Sequence, residues 1–345
     1  MRRKLIWGVI AVAISVLVIR AVFAQSATLS LESLLSTVLA TPPQWMLLIF
    51  ISSMGFIIFE ALSLRCIVKG LGYRTHFGHA LLYSAGDQFF SAITPSASGG
   101  QPASALFMGA YGLPAGSITV TLILNLIEYT AATIVIGAGV FVLRPHVLRL
   151  FGPLSQTLII LGMALFAALM AAFILLLQRG DFLDRLGRRL VRFLNRIRLV
   201  KHPDKWMKKL DHMVDEYKLC AATAHGRPGM QIMSFFFCLA QRVSQIAVTP
   251  LVYLSQGGDP KLGADMWSVQ ALSLIGSNCI PIPGGMGVAD YLMLDGFQKL
   301  LLGDDVYRVQ LLSRGVSFYL CTIISGVIVL VGFLCIQKRR KRKAN

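Results

Sequence analysis

Thr94-Pro95-Ser96-Ala97-Ser98-Gly99-Gly100-Gln101-Pro102-Ala103-Ser104 interrupts one apolar stretch, residues 80–112, and Pro281-Ile282-Pro283-Gly284-Gly285-Met286-Gly287-Val288-Ala289-Asp290 interrupts another, residues 264–303. Each stretch reads as a membrane helix that breaks and resumes. A break frees backbone N–H and C=O groups at bilayer depth, where they are tolerated only if they line a cavity or bind something. Two such breaks in separate parts of one chain point to a binding site for transport.

The rest of the chain supplies the membrane context. It is 55% hydrophobic and 14% charged, with a mean hydropathy of +0.68. Apolar runs at residues 5–24, 43–64, 115–143, 153–177, 230–255 and 309–336 are each long enough for a hydrocarbon core of roughly 30 Å. The expected fold is therefore an all-α polytopic integral membrane protein, a single domain over 1–345 with about six full transmembrane helices and two re-entrant helical hairpins. The N-terminal run carries Arg20 near its end and is too long for a signal-peptide core, so it reads as an uncleaved first helix.

A net charge of +17 would suggest nucleic acid in a soluble protein. Here the basic residues flank apolar spans, at residues 2–4, at Arg65, Lys69 and Arg74, between Arg179 and Arg227, and from Lys338 to Lys343 in a tail of residues 338–345. That pattern sets orientation and attracts anionic inner-leaflet lipids, and no nucleic-acid partner is expected. All four clusters fall on the cytoplasmic side, with both termini inside, only if each hairpin enters and leaves on one face. The first hairpin then opens to the cytoplasm and the second to the exterior, an inverted-topology arrangement.

Residues 181–220 place Leu183, Leu186, Leu190, Phe193, Leu194 and Ile197 at helical spacing among arginines. They read as a basic amphipathic helix on the inner leaflet, within a cytoplasmic segment of 179–229. The six cysteines lack metal-type spacing and read as apolar packing residues. No nucleophile triad, metal cluster or nucleotide motif is present, so neither cofactor nor metal is expected and the chain reads as a transporter rather than an enzyme.

Charges inside spans cost about 2.5–3.5 kcal/mol each on insertion scales, so each should face a partner or a water-filled path. Glu128 lies near the middle of its span, with Asn125 one turn earlier, while Arg242 and Arg314 each sit in otherwise uncharged spans. Asp87 and Asp290 belong to the hairpins. Glu60 lies close to Arg65 and reads as an interfacial residue. The arginines either hold substrate or pair internally with Glu128, Asp87 or Asp290. At the breaks, Ser96 and Ser98 precede Gly99 and Gly100, and Pro102 suits the first turn of a helix starting near Gln101. Such a start aims free N–H groups into the cavity, and phosphate is a natural occupant. In the second motif Pro283 ends one arm, while Gly284, Gly285 and Gly287 let backbone approach a ligand. Gly99, Gly100, Gly284 and Gly285 are the candidate hinges.

At these residues, GDQFFSAITPSASGGQPASALFMGAYGL (86–113), the span holding Glu128, PIPGGMGVADYLML (281–294) and Arg314, the chain resembles the transmembrane family of lysylphosphatidylglycerol synthases, the flippase domain of the bacterial multiple peptide resistance factor. The resemblance extends over most of residues 5–336. It implies a phospholipid flippase in the bacterial cytoplasmic membrane that moves lysylphosphatidylglycerol or a similar aminoacylated lipid from inner to outer leaflet, contributing to resistance to cationic antimicrobial peptides. Asp290 stands where members often have Glu. Full-length members carry a cytoplasmic aminoacyl-transferase domain after the membrane region, which is not seen before Asn345. The expectation is therefore a separate synthase as partner, a piece of a longer protein, or a stand-alone relative, with a homodimer as a further possibility. The alternatives are a secondary transporter of a small polar solute and a membrane partner of a separate transferase. On the flippase reading, helix starts at Gln101 and Gly285 with Arg242 or Arg314 hold the phosphate, and Asp87, Glu128 and Asp290 receive the amines.

Overall fold

The computed structural model describes residues 41–94, 98–178, 185, 188–189, 192, 203–278, 287–301, 303 and 305–344. The expected span at 5–24, Ser96 of the first break, and Cys279, Pro283, Gly284 and Gly285 of the second lie outside these. The described elements are all helical, with no strand among the described residues. In chain order they are α1 (Pro43–Gly70), α2 (Phe77–Ile93), α3 (Gly100–Ala110), α4 (Ala115–Leu143), α5 (Pro153–Gln178), α6 (Pro203–His225), α7 (Pro228–Ser255), α8 (Gly263–Ser277), α9 (Val288–Phe297), α10 (Asp305–Arg314) and α11 (Cys321–Ala344). A π-helical segment, Gly315–Leu320, joins α10 to α11.

Five elements are long and apolar enough to cross a membrane: α1, α4, α5, α7 and the α10–α11 run. They fall on the expected spans at 43–64, 115–143, 153–177, 230–255 and 309–336, and the chain is a multi-pass membrane protein. Helix α1 outlasts its expected span by carrying Arg65 and Lys69 beyond the apolar run. It closes on a Schellman turn, in which Tyr73 N–H donates to Val68 O and Gly72 N–H to Lys69 O, with Gly72 at φ 93°. That left-handed position favours glycine.

Helices α1 and α7 form the central pair. Each expected hairpin is a packed pair of short helices: α2 with α3, and α8 with α9. The first arm of each pair begins slightly earlier than expected, at Phe77 and Gly263. Helix α2 lies against α1 and α11, and α8 lies against α7 and α5. One succession therefore occurs twice: a long helix, a broken pair, a long helix, as α1, α2–α3, α4 and again as α7, α8–α9, α10–α11.

Burial is inverted relative to a water-soluble bundle. Leu47, Ile51, Ile160, Leu161, Phe236 and Val331 are exposed, whereas Ser53, Ser63, Asn125, Glu128, Gln241 and Arg242 are buried. Apolar chains cost nothing in lipid, while polar ones there need partners.

Leu183, Leu186, Leu190, Phe193, Leu194 and Ile197 of the expected amphipathic helix lie outside the described residues. The helix described further along that segment, α6, turns its apolar face onto protein. Tyr217, Cys220 and Ala221 pack with Ile67, Leu124 and Leu177. Tyr217 Oη donates to Leu176 O at the end of α5 (2.7 Å), and Gly116 N–H at the start of α4 donates to Glu216 Oε2 (3.3 Å). Burial pushes the Tyr217 phenol up to about 12, so it serves as a neutral donor. Helix α6 clamps the adjoining ends of two spans. Arg188 reaches it through Asp211 (2.5 Å).

Candidate functional site

The α1–α7 interface is polar along its length because both helices place small or polar residues on one face. Ser52 Oγ donates to Ser244 O (2.7 Å), and the Ser63 and Ser234 hydroxyls are 2.8 Å apart. The backbones come close: a Cβ on Gly55 would sit 2.6 Å from Ser244 Oγ. Into this seam project the buried charges.

Glu60 lies one turn before Ser63 on the same face and is only 5% exposed. This overturns the interfacial reading, because the register of α1 turns Glu60 inward. Ser84 Oγ of α2 is 3.0 Å from Glu60 Oε2, and Gln241 Nε2 of α7 donates to the same oxygen over 3.4 Å. Asp87, one turn after Ser84, is within hydrogen-bonding reach of the Glu60 carboxyl. Asp87 in turn accepts from Ser91 Oγ (3.1 Å) and Gln101 Nε2 (2.7 Å). A Cβ on Gly100 would overlap Asp87 Oδ1, so the glycine lets the α3 start close on the carboxylate. Helix α3 begins one residue earlier than expected, with Gly99 as its cap and no side-chain cap bond. Thr94 closes the loop instead, accepting from Gly99 N–H (2.8 Å) and donating to Phe90 O (2.6 Å). Ser98 lies in this turn. The group seated at the α3 start is thus the protein's own carboxylate, not an open cradle for phosphate.

Arg242 follows Gln241 on α7. Its guanidinium carbon lies 3.6 Å from the Tyr129 ring centroid, and Nη1 donates to Gln245 Oε1 (2.5 Å). Its Nε and Nη2 are buried without a partner. Tyr129 adjoins Glu128, which is 6% exposed. Ser234 donates to Glu128 Oε2, while Glu128 Oε1 has no partner. Asn125 Nδ2 donates to Ser63 Oγ (2.9 Å). Glu128, Arg242, Asp87, Gly100 and Gln101 therefore gather around the α1–α7 seam, together with Glu60, which the sequence places at the interface, and with Ser84, Ser234 and Gln241, which the sequence does not single out. A polar stripe at 53, 60 and 63 in an otherwise apolar helix was the available signal.

The second motif builds a separate cluster. Gly287, at φ 81°, caps α9, and its N–H donates to Asp290 Oδ2 (3.1 Å). Arg314 Nε meets Asp290 Oδ1 at 2.9 Å, so these two charges pair internally. Arg314 Nη2 is buried without a partner, and its guanidinium lies 5.2 Å from the Phe318 ring centroid. Phe318 and Tyr319 also pack on Ala92 and Ile93, the last turn of α2 before the first break. Helix α2 thus meets the π-helical segment 315–320, a type of distortion frequent at functional sites, and α9 meets α10 immediately before it. Ser53 Oγ donates to Val316 O within it (3.2 Å), joining it to α1.

The arrangement offers buried donors with unused N–H groups, at Arg242 and Arg314, and a buried carboxylate with an unused oxygen, at Glu128. A ligand with an anionic and a cationic group fits that combination. A UPF0104 membrane protein of Archaeoglobus fulgidus is 33% identical over 75 residues, which are 21% of this chain and 23% of that protein, so the match spans about a quarter of the relative. The model of the lysylphosphatidylglycerol synthase TM region matches residues 8–325, and the chain belongs to that family.

Proposed function

We propose that the chain is a lipid translocase, not an enzyme, carrying an aminoacylated phospholipid such as lysylphosphatidylglycerol from the inner to the outer leaflet of the bacterial cytoplasmic membrane. The observation that carries this reading is the set of unused buried polar atoms, Arg242 Nη2, Arg314 Nη2 and Glu128 Oε1, in helices that otherwise face lipid. Arg242 or Arg314, which lie in separate clusters, holds the phosphate, and Glu128 receives the lysyl amine. Asp87 and Asp290 already have partners and position the two breaks. Acyl tails stay in lipid throughout.

In this reading the two broken pairs are re-entrant hairpins of opposite orientation, and the recurrence of long helix, broken pair and long helix supports it. They rock about Gly99, Gly100, Gly284 and Gly285 to expose the head group first to the cytoplasm and then to the exterior. The cationic segments, including the tail, remain cytoplasmic on anionic lipid. A synthase that makes the lipid is the partner, and a second copy of the chain is another. Moving cationic lipid outward lowers the negative surface potential that attracts cationic antimicrobial peptides.

The test is translocation in proteoliposomes, comparing lysylphosphatidylglycerol with phosphatidylglycerol by accessibility of the head group to an impermeant reagent. Faster exposure of the lysyl lipid than in protein-free vesicles supports the reading. No acceleration of either lipid by folded protein rejects it in favour of a solute transporter.

A further inference from the structure

We propose that Glu60 and Asp87 form a proton-binding site, two carboxyls that hold one proton between them with Arg242 as counter-cation. The geometry demands it. An ionised carboxylate has only acceptors, so two carboxyls within hydrogen-bonding reach need a proton on one of them. Here Glu60, 5% exposed, meets α2 at Ser84 Oγ (3.0 Å), one turn before Asp87, so the two face each other across the α1–α2 contact.

The surrounding groups fit a single net negative charge. Gln241 Nε2 donates to Glu60, and Gln101 Nε2 and Ser91 Oγ donate to Asp87. Ser84 Oγ is within reach of Glu60 and of Ile57 O (2.9 Å). Both amides thus present N–H rather than oxygen to the carboxyls, which suits a proton and disfavours a metal cation. Arg242 is the facing cation, 2% exposed, with Nε and Nη2 unpartnered, and Gln241 Oε1 beside it is likewise buried and unpartnered. These open valences belong to a site that changes state, because a static network leaves few buried polar atoms unmet. The other titratable groups facing the pair are Cys238 on α7 and, further along the seam, Glu128 on α4, which also acts on Cys238. Helix α3 contributes only the neutral Gln101.

Loaded, the pair carries one negative charge balanced by Arg242. When the proton leaves to water, a second negative charge remains in an apolar interior, which is tolerated only if the carboxyls separate or are hydrated. The proton therefore ties the α2–α3 pair to α1, and withdrawal of that pair releases it. Its use in transport rests on the translocase reading, but its binding does not.

The test is infrared spectroscopy of the full chain reconstituted in phosphatidylglycerol vesicles, following the C=O stretch of buried carboxylic acid as pH is varied. Glu128→Gln serves as the background, so that Glu128 contributes nothing. We expect a carboxylic-acid band that survives Glu128→Gln and is lost when either Glu60→Gln or Asp87→Asn is added. Either replacement leaves one carboxyl alone beside Arg242, where it ionises. Loss in both is the signature of a shared proton. Absence of the band in the background protein, or its survival in either added variant, overturns the proposal. Circular dichroism and gel filtration establish folding; if one variant does not fold, the other and the titration of the background protein still decide. Unchanged lipid flipping by Glu60→Gln and Asp87→Asn in the chain that keeps Glu128, together with loss of the band in the Glu128→Gln background, would leave the proton site standing and reject its use in transport.

Discussion

Arg314 Nε lies 2.9 Å from Asp290 Oδ1, so the last long helix is fastened to the first turn of the helix that follows the second break. Asp290 simultaneously caps that turn through Gly287 N–H. One carboxylate thus sets both the start of α9 and the position of Arg314. Asp290→Asn keeps a cap acceptor but removes the ion pair, and Asp290→Ala removes both. Because the Asp290 side chain is 34% exposed, the pair itself contributes only about 1 kcal/mol. We expect Asp290→Ala to lower the detergent melting temperature more than Asp290→Asn. A double-mutant cycle with Arg314→Gln should return a coupling of that size, and a coupling near zero would remove the ion pair from the account.

Glu128 is the carboxylate with an unused oxygen, whereas Glu60 and Asp87 are engaged with each other. Glu128→Gln preserves shape and hydrogen bonding to Ser234 but cannot attract an amine. Flipping of lysylphosphatidylglycerol should fall by more than tenfold, corresponding to over about 1.4 kcal/mol of barrier, with expression intact. Near-normal flipping by the variant would take Glu128 out of the mechanism.

The close approach at Gly55 is testable as a size exchange. A methyl group there meets both Ser244 Oγ at 2.6 Å and Ser244 Cβ at 2.9 Å, so rotating the serine cannot relieve it. Gly55→Ala should cost about 1–3 kcal/mol as overpacking. Adding Ser244→Gly removes both offending atoms and should restore much of the loss. Thermal unfolding of the three variants decides, and additive losses would show that the helices do not meet there.

Tyr217 offers a pH test outside the membrane. Its phenol is raised from 10.0 to about 12 by burial. A raised value means that the folded state favours the neutral form, so this stabilisation is complete below pH 10 and is lost between pH 10 and 12. The melting temperature of the wild type should therefore fall more steeply across that window than that of Tyr217→Phe. The variant should also start lower, by about 1 kcal/mol for the lost bond to Leu176 O. Parallel curves would contradict the assignment.

Much of this architecture was legible because lipid imposes a simple rule on long helices. The span at 115–143 coincides with α4 since the stretch from Ala115 to Leu143 is largely apolar, with Glu128 its single charge. The first break was readable from Pro95, Gly99 and Gly100. What could not be read was register and partnership. Glu60 was judged by its nearness in sequence to Arg65, but the turn of α1 puts it with Ser53 and Ser63 against α7. Asp290 and Arg314 are 24 residues apart across the α9–α10 junction, so no local spacing announces their contact. The docking of α6 on the ends of two spans was equally hidden, since it depends on Gly116 and Leu176 lying where α4 begins and α5 ends.

Arg242 gives the sharpest separation between charge and shape. Its guanidinium stacks on Tyr129 at 3.6 Å while Nη1 binds Gln245, and it faces the Glu60 carboxyl as its cation. Arg242→Lys keeps the charge but loses the planar stack and the fixed fork of donors. It should therefore fold with a modest loss of stability and flip lipid slowly. Arg242→Met removes the cation and leaves the Glu60–Asp87 pair with an uncompensated charge, for which a loss of about 3–5 kcal/mol is the usual scale. If that charge is the cause, adding both Glu60→Gln and Asp87→Asn to the Arg242→Met background neutralises the site and recovers most of the stability. If the cause is instead the lost packing on Tyr129, the triple variant stays as unstable as Arg242→Met alone, and Arg242→Lys is nearly as damaging. Melting temperatures of the four proteins in one detergent at one pH separate these outcomes.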